Sequence, residues 1–410
     1  MKKVIIVGAG AAGMMAAISA AWNGADVTVI ERNKITGKKL LITGKGRCNV
    51  TNNCDVNELV RNVPEGGRFL YSAFSRFSSE DTMAFFEQMG VELKTERGNR
   101  VFPVSDRSAD IVNALRKGMQ DAGVKLVTAR VKSLAVSDGE VKGVILEDGE
   151  KIYGDAVIIA TGGMSYQATG STGDGYELAR SVGHSISEPK PSLIPLETRG
   201  KTARDLCGLS LRNIAIAVFD KEKNEKIYTD FGELLFTHFG LSGPVILSAS
   251  AHMRDFKPDR YEVSIDLKPA LDEATLDARV LRDFSAVQNR DFINSLGELL
   301  PKRMITAVAK ASGIPFETKV HDITRAQRQQ LCAVLKDFRL TVSAMRPIDE
   351  AIVTSGGVIL NEIDPKTMSS KLATGLYFAG EVINADAYTG GFNLQIAFAT
   401  GHAAGEAAAQ

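Results

Sequence analysis

An α/β fold built on a dinucleotide-binding βαβ unit is predicted by three features at the start of the chain. A short apolar run, Val4-Ile5-Ile6-Val7, leads directly into Gly8-Ala9-Gly10-Ala11-Ala12-Gly13; an alanine-rich helical stretch follows; a second strand ends in the acid Glu31. Glycine turns of this form serve NAD and FAD alike. A second signature near the other end, Tyr377-Phe378-Ala379-Gly380-Glu381 followed by Gly390-Gly391-Phe392-Asn393, excludes the plain NAD reading and points to FAD.

Each element of the first unit has its own reason. Val4 to Val7 has the length and composition of a strand buried on both faces. Residues 11–22 should form a helix of Ala, Met and Ile, closed by Asn23-Gly24. Residues 26–30 then read as the second strand. Gly8 permits the tight turn, Gly10 lets backbone approach a pyrophosphate, and Gly13 lets helix pack close to strand. The pyrophosphate would sit at the helix N-terminus beside Ala11 and Ala12, where unpaired N–H groups favour an anion. Glu31 is placed to accept hydrogen bonds from ribose hydroxyls, and its charge disfavours a 2'-phosphate.

Further along, residues 124–131 form a strand candidate after a helix ending at Ala122-Gly123, and Val131 is assigned an adenine contact. Residues 158–163, Ile-Ile-Ala-Thr-Gly-Gly, read as a buried strand opening into a flexible turn at Thr161 and Gly162. The stretch 193–267 carries alternating and β-branched runs, such as 213–219, 226–229 and 261–267, and reads as an antiparallel sheet or barrel. From Pro269 to about Leu340 the period changes to helical in 276–284, 296–311 and 325–338. This divides the chain into a first part of the cofactor domain (1–190), a β-rich domain (191–268), a small helical domain (269–340), and a return through the β-rich domain to the cofactor domain (341–410). The last helix should start at Gly390-Gly391 and run to Ala409. Its N-terminus, with Gly391, would stabilise an anionic reduced flavin.

Composition fits a globular enzyme. The 410 residues are 44% hydrophobic and 24% charged, and Lys+Arg and Asp+Glu are equal at 49 each, so no bulk field draws in nucleic acid. No run approaches the length of a membrane span, and no cleavage-site pattern follows the N-terminal apolar stretch. The four cysteines, Cys48, Cys54, Cys207 and Cys332, form no CxxC pair, and the five histidines are scattered. A reduced, cytoplasmic setting without a structural metal is expected. The loop 37–52 concentrates Lys38, Lys39, Lys45 and Arg47 among glycines; fixed cations there would neutralise pyrophosphate, and Arg47 with Asn49 would line the flavin.

The combination GAGAAG, GKGRCNVTN, ATGG, LLFTHFGLSGP (234–244) and FAGEVINADAYTGGFNLQ resembles the BaiN/RdsA family of NAD(P)/FAD-dependent oxidoreductases over nearly the whole chain. The resemblance implies a Rossmann-like FAD-binding domain of the glutathione reductase type, with an inserted β-barrel-like domain and a small helical domain. Carried over motif by motif, it makes Gly10, Ala12, Glu31, Arg32, Lys39, Arg47, Val131, Thr161, Gly162, Gly380, Glu381, Asn393 and Leu394 FAD-contact candidates. One departure is Gly44-Lys45-Gly46, where many relatives read three glycines.

Glutathione reductase-type enzymes carry a second GxGxxG fold for nicotinamide and a cysteine pair beside the flavin; this chain has neither. Reducing equivalents are therefore expected from NADH or NADPH docking transiently on the flavin face, or from another electron donor, and reduction of an activated C=C bond fits better than disulfide reduction. Cys48 and His238 are the candidate proton donors; each residue type in such a setting is more often structural. The resemblance offers two substrates, uridine in large-subunit (23S) ribosomal RNA, giving dihydrouridine, and unsaturated bile-acid-like steroids. Lys38, Lys39, Lys45, Arg47, Arg97, Arg100 and Arg107 form a basic rim that favours the RNA. A non-catalytic FAD-binding redox sensor is the reading from a different class.

Overall fold

The N-terminal apolar run becomes β1 (Lys3–Val7), followed by α1 (Ala11–Trp22) and β2 (Asp26–Glu31) in the computed structural model, which describes residues 1–410. The chain divides into two units, one formed by Met1–Ser192 with Pro347–Gln410 and the other by Leu193–Arg346.

The first unit is built on a five-stranded parallel sheet. Its order is Leu376–Phe378, Ala156–Ile159, β1, β2, Lys125–Thr128, so strands far apart in sequence flank the glycine turn. Val4, Ile5, Ile6 and Val7 are all buried, as a strand covered on both faces requires. Two helices lie close against each other beside it, α1 and the C-terminal helix Phe392–Ala409. A Cβ on Gly401 would stand 2.4 Å from the carbonyl oxygen of Ala12, and one on Gly405 2.4 Å from that of Ala16. The two glycines, one turn apart, allow backbone-to-backbone packing that no side chain would permit.

Three small antiparallel sheets complete this unit. Thr51–Asn52, Arg100–Pro103 and Leu93–Glu96 form one, Val131–Ser137, Glu140–Leu146 and Lys151–Tyr153 the second, and Ile186–Ser192 with Val353–Val358 the third. The strand expected over 124–131 is in fact two. Lys125–Thr128 belongs to the parallel sheet, the chain breaks at Ala129-Arg130, and Val131 begins a strand of the second small sheet.

The second unit is a closed six-stranded barrel in the order Leu196–Thr198, Gly240–Ser242, Glu225–Phe236, Ser210–Asp220, Tyr261–Asp266, Phe338–Met345. Three helices, Glu273–Ser285, Lys302–Ser312 and Arg325–Lys336, share one apolar cluster with the barrel; Leu276, Val280, Met304, Val308, Leu331 and Leu335 join Ile216, Val263 and Phe236 in it. The β-rich and helical zones thus fall in one unit. The helix expected over 296–311 starts only at Lys302, because Pro301 lacks an N–H and serves as its N-cap. The one expected to reach Phe338 stops at Lys336, and Phe338 opens the last barrel strand. Thr324 and Gln327 form a capping box at its start.

Candidate cofactor and active site

The glycine turn is built as its chemistry requires. Gly8 sits at φ +104°, and a Cβ there would stand 2.6 Å from the Ala160 carbonyl oxygen; a Cβ on Gly13 would stand 1.9 Å from the Gly8 oxygen. Both positions exclude a side chain for reasons internal to the fold. Gly10 differs: a Cβ there meets nothing within 4 Å. It is the N-cap of α1, without a side-chain cap and without an acid in the first turn. Open space in front of uncapped N–H groups is what an anionic phosphate needs.

Glu31 is almost fully buried at the end of β2. Its Oε2 accepts from the Ala9 N–H at 2.8 Å, and its Oε1 accepts from the Asn33 N–H and side-chain amide, each at 2.8 Å. These donors fix the carboxylate beside the glycine turn. Arg32 turns away to Thr172 (2.7 Å) and Asp174 (3.3 Å), and Asp174 also takes two bonds from Arg130.

A second polar cluster gathers around Glu381. Its Oε2 accepts from Lys39 Nζ at 2.7 Å, while Oε1 accepts from the Thr354 N–H at 2.7 Å and from Ser165 Oγ at 3.1 Å. Lys39 also donates to Ser165 Oγ at 2.7 Å. Gly162 is left-handed at φ +75°, and a Cβ on Gly163 would stand 3.0 Å from Glu381 Oε1. Beside this cluster the hydroxyls of Thr161 and Tyr176 are buried with no hydrogen-bond partner. Tyr176 was not singled out from the sequence; the only signal is a tyrosine on the buried face of the helix Asp174–Arg180.

The C-terminal helix starts at Gly391, φ +100°, where a Cβ would stand 2.3 Å from the Thr51 carbonyl oxygen. It too has no side-chain cap and no acid in its first turn. Gln395, fully buried, holds this start in place: Oε1 accepts from Thr51 and Thr82 hydroxyls at 2.6 and 2.9 Å, and Nε2 donates to the Phe77 carbonyl. Asn393 spends its side chain on Ala387, accepting from its N–H and donating to its carbonyl, so only its backbone remains for a cofactor. Gly380 donates its N–H to Thr400 Oγ1 at 2.9 Å. Leu394 is half-buried.

Two expectations for the loop 37–52 are corrected. Arg47 does not face the phosphate cradle with a free charge: its guanidinium bonds Glu96 and Asp106 and lies 4.1 Å over the Phe102 ring. Cys48 is fully buried, at φ +60°, and desolvation pushes its thiol up to about 12. A thiol that far from neutral pH, with no surface exposed, is a packing group and a poor proton donor. Asn49 keeps its promise differently, since its side-chain Oδ1 is buried and unpartnered. Lys45 adopts φ +60° between two left-handed glycines, Gly44 and Gly46. In the barrel unit, His238 is exposed in the turn between Glu225–Phe236 and Gly240–Ser242, its ring edge-on to Phe239.

FAD fits this unit on three counts: the open space before Gly10, two uncapped helix starts, and orphaned buried oxygens at Asn49 and Thr161. Gly10 and Ala11 to Gly13 would hold the pyrophosphate, Glu31 the ribose, and Asn49, Thr161, Gly380 and the Gly391 helix start the remainder. Fold and cradle together define a flavoprotein of the Rossmann class. The model of the HI0933-like protein Rossmann domain matches residues 2–407, and the chain belongs to that family. It is 32% identical over 417 residues to the 3-dehydro-bile acid delta(4,6)-reductase of Clostridium scindens, covering all of both chains. It is 30% identical over 398 residues to the ribosomal RNA dihydrouridine synthase of Escherichia coli, covering 97% of this chain and 95% of that one. Among solved structures, the 3-ketosteroid-delta4-(5alpha)-dehydrogenase of Rhodococcus jostii shares the fold, with a TM-score of 0.54 at 15% identity over 100% of this chain and 97% of that one. The protein is an FAD-dependent oxidoreductase.

Proposed function

We propose that this oxidoreductase reduces a carbonyl-conjugated C=C bond, and that its substrate is uridine in large-subunit ribosomal RNA, converted to dihydrouridine with NADH or NADPH as reductant in the cytoplasm. The observation that carries the RNA reading is the set of exposed cations at Lys45, Arg97, Arg100 and Arg107. Arg97 and Arg100 belong to a hairpin that Asn52 ties to the start of the C-terminal helix, its Nδ2 donating to the Gly98 and Gly390 carbonyls at 3.0 Å each. The rim is narrower than the sequence suggested, since Lys39 and Arg47 are ion-paired within the chain.

When bound, FAD supplies a two-electron carrier between the nicotinamide and the C=C bond. The chain's residues hold it through the two helix starts, exclude water with the buried Thr51–Gln395–Thr82 linkage behind the second, and present the uracil with cations for its flanking phosphates. Uracil C5=C6 is conjugated to the C4 carbonyl, so C6 is the electrophilic carbon that takes the hydride and C5 takes the proton.

A second reading, reduction of a small steroid-like enone, is favoured by the full-length likeness to the bile-acid reductase. Nucleoside mass spectrometry of ribosomal RNA from cells lacking the protein separates the two. Loss of dihydrouridine from the large-subunit RNA supports the RNA reading; unchanged dihydrouridine rejects it.

A further inference from the structure

We propose that the loop 163–173 is a latch at the ribose end of the FAD site, docked on the segment 31–38, and that its opening sets how fast FAD enters and leaves. The inference rests on the FAD assignment and depends on no choice of substrate.

The build of the loop comes first. Its ends are tied by the Gly173 N–H, which donates to the Gly163 carbonyl at 3.2 Å, so the chain leaves and returns at one point as in an Ω-loop. One short helical turn, Gln167–Thr169, stands inside it between left-handed Tyr166 (φ +52°) and Gly170 (φ +110°). Ser165, fully buried, pins the first limb: its N–H donates to Thr354 Oγ1 at 3.1 Å and its hydroxyl to Glu381 Oε1 at 3.1 Å. Past Ser165 the anchorage changes character. None of residues 166–172 joins the apolar core, and Gln167 and Ala168 are exposed. A segment held only by polar contacts opens without disturbing the parallel sheet.

The docking bonds come second. On one side Asn33 Nδ2 donates to the Thr169 carbonyl at 3.0 Å, Lys38 Nζ to the Ala168 carbonyl at 2.6 Å, and Arg32 to the Thr172 hydroxyl at 2.7 Å. On the other the Gln167 N–H donates to the Asp349 carboxylate at 2.9 Å and the Tyr166 N–H to the Asp349 carbonyl at 3.2 Å. A Cβ on Gly170 would stand 2.5 Å from Asn33 Nδ2, so glycine is what lets the loop come this near.

The link to the cofactor site comes third. The segment 31–38 borders the glycine turn, since the Gly37 N–H donates to the Ala9 carbonyl at 2.8 Å and the Ala9 N–H to Glu31 Oε2 at 2.8 Å. Asn33 Nδ2 donates both to Glu31 Oε1 at 2.8 Å and to the Thr169 carbonyl, so one amide joins the ribose carboxylate to the latch. Entry and exit of FAD at that end both wait for the same bonds to break. A weaker latch therefore speeds both, whereas loss of a residue that binds FAD directly speeds release alone and weakens affinity.

The test times release of FAD from the loaded protein and uptake of FAD by the stripped protein, both by flavin fluorescence. The wild type is compared with Asp349→Ala plus Thr172→Ala, which removes one docking bond on each side, and with Asp349→Asn plus Thr172→Ser, which keeps an acceptor at each. The alanine pair is expected to raise both rates roughly fivefold or more, as the loss of two hydrogen bonds allows, with the dissociation constant within about twofold of wild type. The conservative pair should keep wild-type rates. Should the alanine pair fail to fold, hydrogen exchange of the wild type decides: amides of 166–170 are expected to exchange faster than those of the strand Ala156–Ile159 and at least as fast as FAD leaves. Unchanged rates in the alanine pair, faster release alone with weakened binding, or a loop as protected as the strand each overturns the latch. A wild type that takes up no FAD overturns the cofactor assignment itself, and the latch with it.

Discussion

Three glycines within six residues have three different reasons to be glycine, and the difference can be measured. Gly8 and Gly13 are required by the fold, since a Cβ at Gly13 would press on the Gly8 oxygen at 1.9 Å; Gly10 faces open space. Gly13→Ala is expected to cost the apo-protein about 1 to 3 kcal/mol and to lose FAD with it. Gly10→Ala should leave apo-protein melting nearly unchanged, within about 0.5 kcal/mol, while flavin content drops. Equal melting losses for the two variants would contradict the assignment. Cys48 is the opposite case, a residue whose chemistry suggested catalysis and whose burial argues for packing. Cys48→Ala should cost about 1 kcal/mol of stability and keep turnover per bound FAD. A turnover lower by about 100-fold with FAD retained would restore the thiol as proton donor. In the barrel unit, Arg260 holds the buried Asp220 carboxyl down to about 2 from its ordinary 3.8. A depressed folded-state value means stability that is fully present above 3.8 and lost as pH falls through about 2. Acid titration of the melting curve should show that loss, and Asp220→Asn should flatten it; identical acid limbs would rule the pair out as its source.

At the scale of elements, the contact between α1 and the C-terminal helix joins the two cofactor-binding signatures. Gly401 and Gly405 let the helix backbones meet, and both helices aim uncapped starts from the same unit. Gly401→Val should therefore destabilise by about 1 to 3 kcal/mol or more and lower FAD content, read by calorimetry and flavin release; a neutral outcome would mean the helices are not locked together. Much of this was legible in the sequence because local chemistry set it. The helix Ala11–Trp22 was bounded by the glycine turn and by Asn23-Gly24, and the C-terminal helix by Gly390-Gly391. Where long-range pairing decides, the sequence was a weaker guide. Nothing local to 124–131 says that the chain changes sheets at Ala129, and Pro301 moved a helix start that apolar spacing alone put at 296. The site shows the same division. Glu31 and Gly10 announce themselves by position in a motif, whereas Arg47 among glycines looked like a phosphate ligand until Glu96 and Asp106, distant in sequence, were folded onto it. Gln395 stood in a quoted motif without a role, and Tyr176 offered only its place on the buried face of a helix.

For the molecule as a whole, equal numbers of acidic and basic residues mean that the proposed RNA substrate would have to be drawn by a local cluster of cations. Lys45, Arg97, Arg100 and Arg107 are exposed and are the cations that the RNA reading would use. The most direct measurement of the central claim is a single turnover without oxygen. The FAD-loaded protein is reduced with NADH or NADPH, then mixed with unmodified large-subunit ribosomal RNA, and oxidised flavin and dihydrouridine are followed together. The account predicts that flavin reoxidises with formation of one dihydrouridine for each flavin. Flavin that stays reduced with the RNA, yet reoxidises with a steroid-like enone or with neither, would contradict it.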